Sequence, residues 1–199
     1  MDNPQALTFF LSYPRCRTAW LATYLTGMGV YCFHELWRTC HTIDAVKQAM
    51  QAKGPGPVAN ADPTNWIFIE ELVEAFPDAV FIEITRPVAE VKVSCDESYG
   101  EGDYHELWAA YERMRSYRPT SCVTIDFDQW DELTSRQLFT RASGGTLPFN
   151  QDWHDRLHQL HIQLTEARID EDHELASHGE SAHILNKIQQ YAGGVAWDS

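Results

Sequence analysis

Residues 7–25 read LTFFLSYPRCRTAWLATYL: an apolar run that breaks at a proline, passes two arginines and resumes with helical spacing. Leu7, Thr8, Phe9, Phe10 and Leu11 form an uninterrupted β-favouring stretch, the pattern of a strand buried on both faces. Leu21, Tyr24 and Leu25 then recur at helical intervals, with Trp20 at the helix start. A strand, a tight turn and a helix in that order aim successive backbone N–H groups and the positive helix end at one point. That geometry suits a phosphate or a sulfate. Further along, strands alternate with helices. The expected fold is therefore α/β: a three-layer α/β/α domain spanning residues 1–199 around a central parallel sheet.

The turn is not the common nucleoside-triphosphate loop. Gly-x-x-x-x-Gly-Lys-Ser/Thr needs two glycines and a lysine, and residues 12–20 contain neither type. A nucleotide kinase thereby loses its best support. Tyr13-Pro14-Arg15-Cys16-Arg17-Thr18-Ala19-Trp20-Leu21 instead resembles the 5'-phosphosulfate loop of sulfotransferases that use 3'-phosphoadenosine 5'-phosphosulfate (PAPS), whose pattern is roughly Pro-(Lys/Arg)-Ser-Gly-Thr-Thr-Trp-Leu. Cys16, Arg17 and Ala19 depart from it, standing where that family has Ser, Gly and Thr.

A second passage strengthens the likeness. Residues 80–87 read as a strand ending at Arg86 and Pro87, and Ser94 follows Arg86 by eight positions. In the sulfotransferases an arginine and a serine with this separation hold the 3'-phosphate. A guanidinium offers a planar fork to a phosphate, and a hydroxyl about two helical turns on can reach another oxygen. The preceding helix and Phe76-Pro77-Asp78-Ala79 also resemble the family's approach to this strand, and residues 122–127 resemble a later one. The fold implied is sulfotransferase-like, related to the P-loop nucleotide hydrolases. The Arg-Lys-Gly segment of cytosolic animal relatives is missing.

The resemblance implies PAPS as sulfuryl donor, PAP (3'-phosphoadenosine 5'-phosphate) as product, and no metal. Arg15 would steady the leaving phosphate, and N–H groups of Cys16, Arg17, Thr18, Ala19 and Trp20 would hold the phosphosulfate, with the Thr18 hydroxyl assisting. Trp20 resembles the tryptophan that packs on adenine; as a residue at a helix start it reads equally as a core aromatic. Relatives use histidine or glutamate as general base, and His34 and Glu35 sit together after the second expected strand. Position favours Glu35 and intrinsic basicity favours His34. Asp62 reads as an acceptor-pocket residue or a turn cap.

Composition narrows the partners. With 15 basic and 29 acidic residues the chain carries −14, a field that repels nucleic acid. Arg15, Arg17 and Arg86 nevertheless fall in the two anion sites. Five cysteines (Cys16, Cys32, Cys40, Cys95, Cys122) without a CxxC pair read as reduced thiols; an electropositive loop would favour a thiolate at Cys16, but the simpler reading is a substitute for the serine of similar size in the family it resembles. No segment is long and apolar enough for a membrane span and no secretion signal is evident, so a cytoplasmic location is expected. His154, His158 and His161 share a helical face, which reads as a solvated face before a metal site.

Other helices are expected over 42–52, 70–76, 88–94, 104–117, 135–142, 153–168 and 182–191, with a loop over 97–103 and a polar stretch over 170–180. The loop reads as a surface connection or a cover for the acceptor. The leading functional expectation is sulfuryl transfer to a hydroxyl or amine of a small acceptor. The alternative is a nucleotide-binding module of the same fold without turnover.

Overall fold

The strand expected at the start, β1 (Leu7–Ser12), is buried from Thr8 onward and forms the centre of the sheet. The computed structural model describes residues 5–100 and 105–158. β1 pairs in parallel with β3 (Val58–Ala61) and β4 (Val80–Thr85). β2 (Tyr31–Phe33) and β5 (Val123–Asp126) lie outside them, giving the order β2-β3-β1-β4-β5, all parallel. Because both faces of such a sheet must be covered, its central strands are apolar on both sides: Phe9, Phe10 and Leu11 are all fully buried.

Helix α1 (Thr18–Gly27) carries the chain from β1 to β2, α2 (Ile43–Gln51) from β2 to β3, and α3 (Ile69–Ala75) from β3 to β4. α4 (Val88–Tyr99) and α5 (His105–Met114) precede β5, and α6 (Glu132–Ala142) and α7 (Gln151–His158) follow it. Right-handed crossovers place α1 on one face and α2 with α3 on the other; α1 packs against α7, and α2 against α3. Three layers result. Thr42 caps α2 and Asp131 caps α6 through backbone N–H groups, and Asn150 accepts from Trp153 N–H at the start of α7.

Three helix boundaries differ from expectation by three or more residues: α5 ends at Met114 and passes into a 3₁₀ turn over Arg115–Tyr117, and two others shift. α4 runs to Tyr99 and stops at Gly100, with φ 87°, so the loop placed from residue 97 begins later. α6 starts at Glu132, because Asp131 supplies the cap that propensity alone did not reveal. The helix expected over 182–191, the polar stretch before it, the rest of the helix begun by α7, and His161 lie outside the described residues. Among the described residues, no helix is long and apolar enough to cross a membrane.

The chain leaves β1 toward β2 and leaves β4 toward β5, in opposite directions. A crevice therefore opens beyond the carboxyl ends of these neighbours, the place where open α/β sheets bind ligands. Arg15 follows β1 and Arg86 follows β4, one on each side of it.

Candidate active site

The loop between β1 and α1 bends through two non-glycine residues in the left-handed region, Arg15 (φ 65°) and Arg17 (φ 63°). That conformation costs an L-residue roughly 1–2 kcal/mol, which explains why glycine suits the position of Arg17. The first bond closing α1 runs from Leu21 N–H to Arg17 O at 2.8 Å. N–H groups earlier in the turn thus face the loop, as a helix start dictates. Arg17 is the N-cap but lends no side-chain bond to the helix.

The two sequence motifs, 71 residues apart, meet here. The Arg86 guanidinium donates to Arg15 O at 3.1 Å, and Arg15 Nε donates to Ser94 Oγ at 3.2 Å. Arg86 also pairs with Glu90, Nε to Oε2, at 3.3 Å. The guanidinium carbons of Arg17 and Arg86 each lie 4.5 Å from the centre of the Phe127 ring, a cation–π distance. Partial desolvation and the neighbouring Arg86 charge both pull the Arg17 pKa below its ordinary value. Three arginines therefore converge at the crevice mouth of an otherwise acidic chain.

Two loop side chains turn inward instead. Trp20 is buried, its ring stacked on Tyr24 at 4.6 Å and its Nε1 donating to Leu157 O at 3.1 Å. α7 fills the face that this indole covers, so the loop keeps the Trp20 N–H while the ring serves the core. Cys16 is fully buried, and burial pushes its thiol up to about 12 against the pull of Arg86. Desolvation outweighs the nearby charge and so opposes the thiolate that an electropositive loop would favour. Ala19 is partly buried in the first turn of α1.

His34 and Glu35 follow β2 and face the loop from the other side. Thr18 Oγ1 lies 3.3 Å from His34 Nε2, and His34 Nδ1 lies 4.0 Å from Glu35 Oε1. Glu35 Oε2 is engaged by Arg38 at 2.8 Å, and Glu35 itself is left-handed, with φ 57°. Asp62 anchors this loop: one oxygen accepts from Trp37 N–H at 3.0 Å and the other from Thr64 N–H at 2.8 Å. Its carboxyl is buried, and desolvation raises its pKa despite these bonds. Of the two readings of Asp62 the turn cap is the one seen, and its second oxygen ties down the segment after His34.

A cleft of about 220 Å³ adjoins Arg86, walled by Tyr13, Trp66, Tyr111 and Arg115. Tyr13 is held by a 2.6 Å bond from its hydroxyl to Glu112, and Tyr111 by one of 3.2 Å to Pro63 O. Beneath the cleft, the buried Glu83 carboxylate meets Arg115 at 3.2 Å, Arg118, and Thr124 at 3.1 Å.

Phe127 is the site residue that motif spacing missed; its only signal was the likeness of residues 122–127 to a later strand. His154 and His158 lie together, ring centres 4.3 Å apart, but His154 Nδ1 is shared with the Tyr24 hydroxyl at 3.0 Å. Among the described residues, no group of side chains is arranged to hold a metal ion.

Comparison with known proteins agrees with this geometry. None of the curated proteins matches the chain. The family model of the sulfotransferase domain matches residues 8–178, a span that takes in the loop, the Arg86 site and the His34 loop together. On that match the chain belongs to the sulfotransferase family.

Proposed function

We propose that this protein moves a sulfuryl group from PAPS to a hydroxyl or amine of a small acceptor and releases PAP. The observation that carries the reading is the junction of the two anion motifs: Arg86 bonded to Arg15 O, and Arg15 to Ser94. The loop N–H groups from Cys16 to Trp20 would receive the 5'-phosphosulfate, and Arg86 with Ser94 the 3'-phosphate. The acceptor atom attacks sulfur in line with the bond to the bridging phosphate oxygen. As the new bond forms, the old S–O bond breaks, and Arg15 steadies the charge left on PAP.

His34 is the better base. Its Nε2 stands beside the loop hydroxyl of Thr18, whereas Glu35 is tied to Arg38. The acceptor proton passes to His34 Nε2, and the Glu35 carboxylate near Nδ1 stabilises the imidazolium. Position along the chain pointed to Glu35 first; the ion pair reverses that order. All five cysteines are free and four are buried, in keeping with a reducing cytoplasm.

Two measurements test the reading. PAP should raise the melting temperature well above AMP or ATP, and radiolabelled PAPS should pass its label to some member of a panel of small alcohols, phenols and amines. A shift without transfer to any acceptor leaves the module without turnover, to which the departures at Cys16, Arg17 and Ala19 would then point. No preference for PAP over AMP overturns the reading.

A further inference from the structure

We propose that Arg17 and Arg86 form a two-guanidinium clamp on the phosphate that the loop N–H groups do not hold, so that Arg17 selects nucleotides carrying a second phosphate. This rests on the function proposed above, where Arg17 serves only through its backbone.

Four observations point to an anion between these side chains. Both guanidiniums sit over one ring, Phe127, at 4.5 Å, although like charges so placed repel. Arg86 has Glu90 as a partial counterion, but among the described residues no hydrogen-bond acceptor or carboxylate engages the exposed Arg17 guanidinium. Asp128 acts on Arg17 only through its charge. Finally, Arg17 holds a left-handed backbone that glycine would adopt without strain. A repelled, unpaired and strained arginine is hard to explain by folding, and a dianion supplies what it lacks.

The topology says which phosphate. Arg17 comes from the loop after β1, Arg86 from the end of β4, and Phe127 from the end of β5, three successive strands in the sheet. Neighbouring strands lie about 4.8 Å apart, so the strand end that supplies the ring flanked by both guanidiniums is two strand spacings to one side of the loop. An anion bound there is not the one cradled by the N–H groups of α1. A ribose with phosphates on its 5' and 3' oxygens offers one anion to each place, and a 5'-monophosphate fills only the loop.

The test is calorimetric titration of the full chain and of Arg17→Gly and Arg17→Gln with PAP and with AMP. Glycine removes strain and charge together, while glutamine removes charge and keeps the strained backbone. Both variants should bind PAP at least about tenfold more weakly, the loss of one charge-assisted contact, with AMP affinity changed less than about twofold. Arg17→Gly, free of ligand, should melt at or above the temperature of the parent. Equal losses for the two nucleotides would put Arg17 in the loop site and overturn the clamp; so would unchanged PAP binding in both variants, and either result leaves the sulfotransferase reading standing. A parent chain that does not prefer PAP overturns that reading first, and the clamp with it.

Discussion

The Arg86 guanidinium donates to the backbone carbonyl of Arg15 at 3.1 Å, across the crevice between β1 and β4. One side chain therefore shapes the loop and also belongs to the proposed 3'-phosphate site. Replacing it with alanine should remove the advantage of PAP over AMP in a thermal-shift titration, weakening PAP by roughly 10–100-fold. Arg86→Lys keeps a charge but not the planar fork, and should fall between. Retention of the full PAP shift in Arg86→Ala would show that the phosphate lies elsewhere.

Transfer of radiolabelled sulfate distinguishes the two candidate bases. His34→Ala should lower kcat by about 10²–10⁴, with PAP affinity held within about twofold. Glu35→Gln removes the charge near Nδ1 together with the Arg38 ion pair and should cost about tenfold. A larger fall in Glu35→Gln than in His34→Ala returns the base to Glu35.

Asn65 joins three parts of the sheet edge. Its Oδ1 accepts from Trp37 Nε1 at 2.9 Å and Asn60 Nδ2 at 2.8 Å, and its Nδ2 donates to Phe10 O and Asn60 O. Alanine here strands several buried polar groups at once and should cost about 2–4 kcal/mol in chemical denaturation. A loss near zero would mean that water replaces the amide.

His154 and His158 set a pH dependence. Burial lowers the pKa of His154; burial and then the charge of His154 lower that of His158, while Asp155 and Glu132 oppose both. Each is depressed below 6.5, so the unfolded chain binds protons first. Stability is full above that value and is lost as pH falls through the folded values. The melting temperature should drop between about pH 6.5 and 5, and His158→Gln, which can still meet Ser135, should shrink the drop. Parallel curves for the two proteins would place the acid sensitivity in carboxylates.

Cysteine alkylation probes the loop. Cys16 is fully buried with its thiol near 12, while Cys122 is half-exposed with a value near 11. Iodoacetamide on the folded chain should label Cys122 before Cys16, read by peptide mass. Early labelling of Cys16 would show that the loop opens in solution.

What could be read from the chain was local. Uninterrupted apolar residues gave away β1, the eight-residue step from Arg86 to Ser94 marked the proposed second anion site, and turn chemistry bounded α2 and ended α6. What escaped depends on distant elements meeting. The inward turn of Trp20 follows from α7 covering α1, and helical spacing does not say which neighbour a face will find. Asp62 matters because its carboxylate reaches Trp37 N–H, a contact between separate strand ends. Phe127 enters the site only because β5 lies beside β4. The Arg38 pair that engages Glu35 sits at a residue with left-handed backbone, which no propensity would favour.

Two indoles cross-stitch α1 to α7: Trp20 donates to Leu157 O, and Trp153 donates back to Tyr24 O at 3.0 Å. The seam is so close that any side chain at Gly27 would collide with the Trp153 ring. The loop helix is thus braced by a segment that carries none of the residues proposed to bind phosphate. A shortened version ending before Gln151 would keep every motif yet bare the outer flank of α1, so the smallest working unit extends at least through His158.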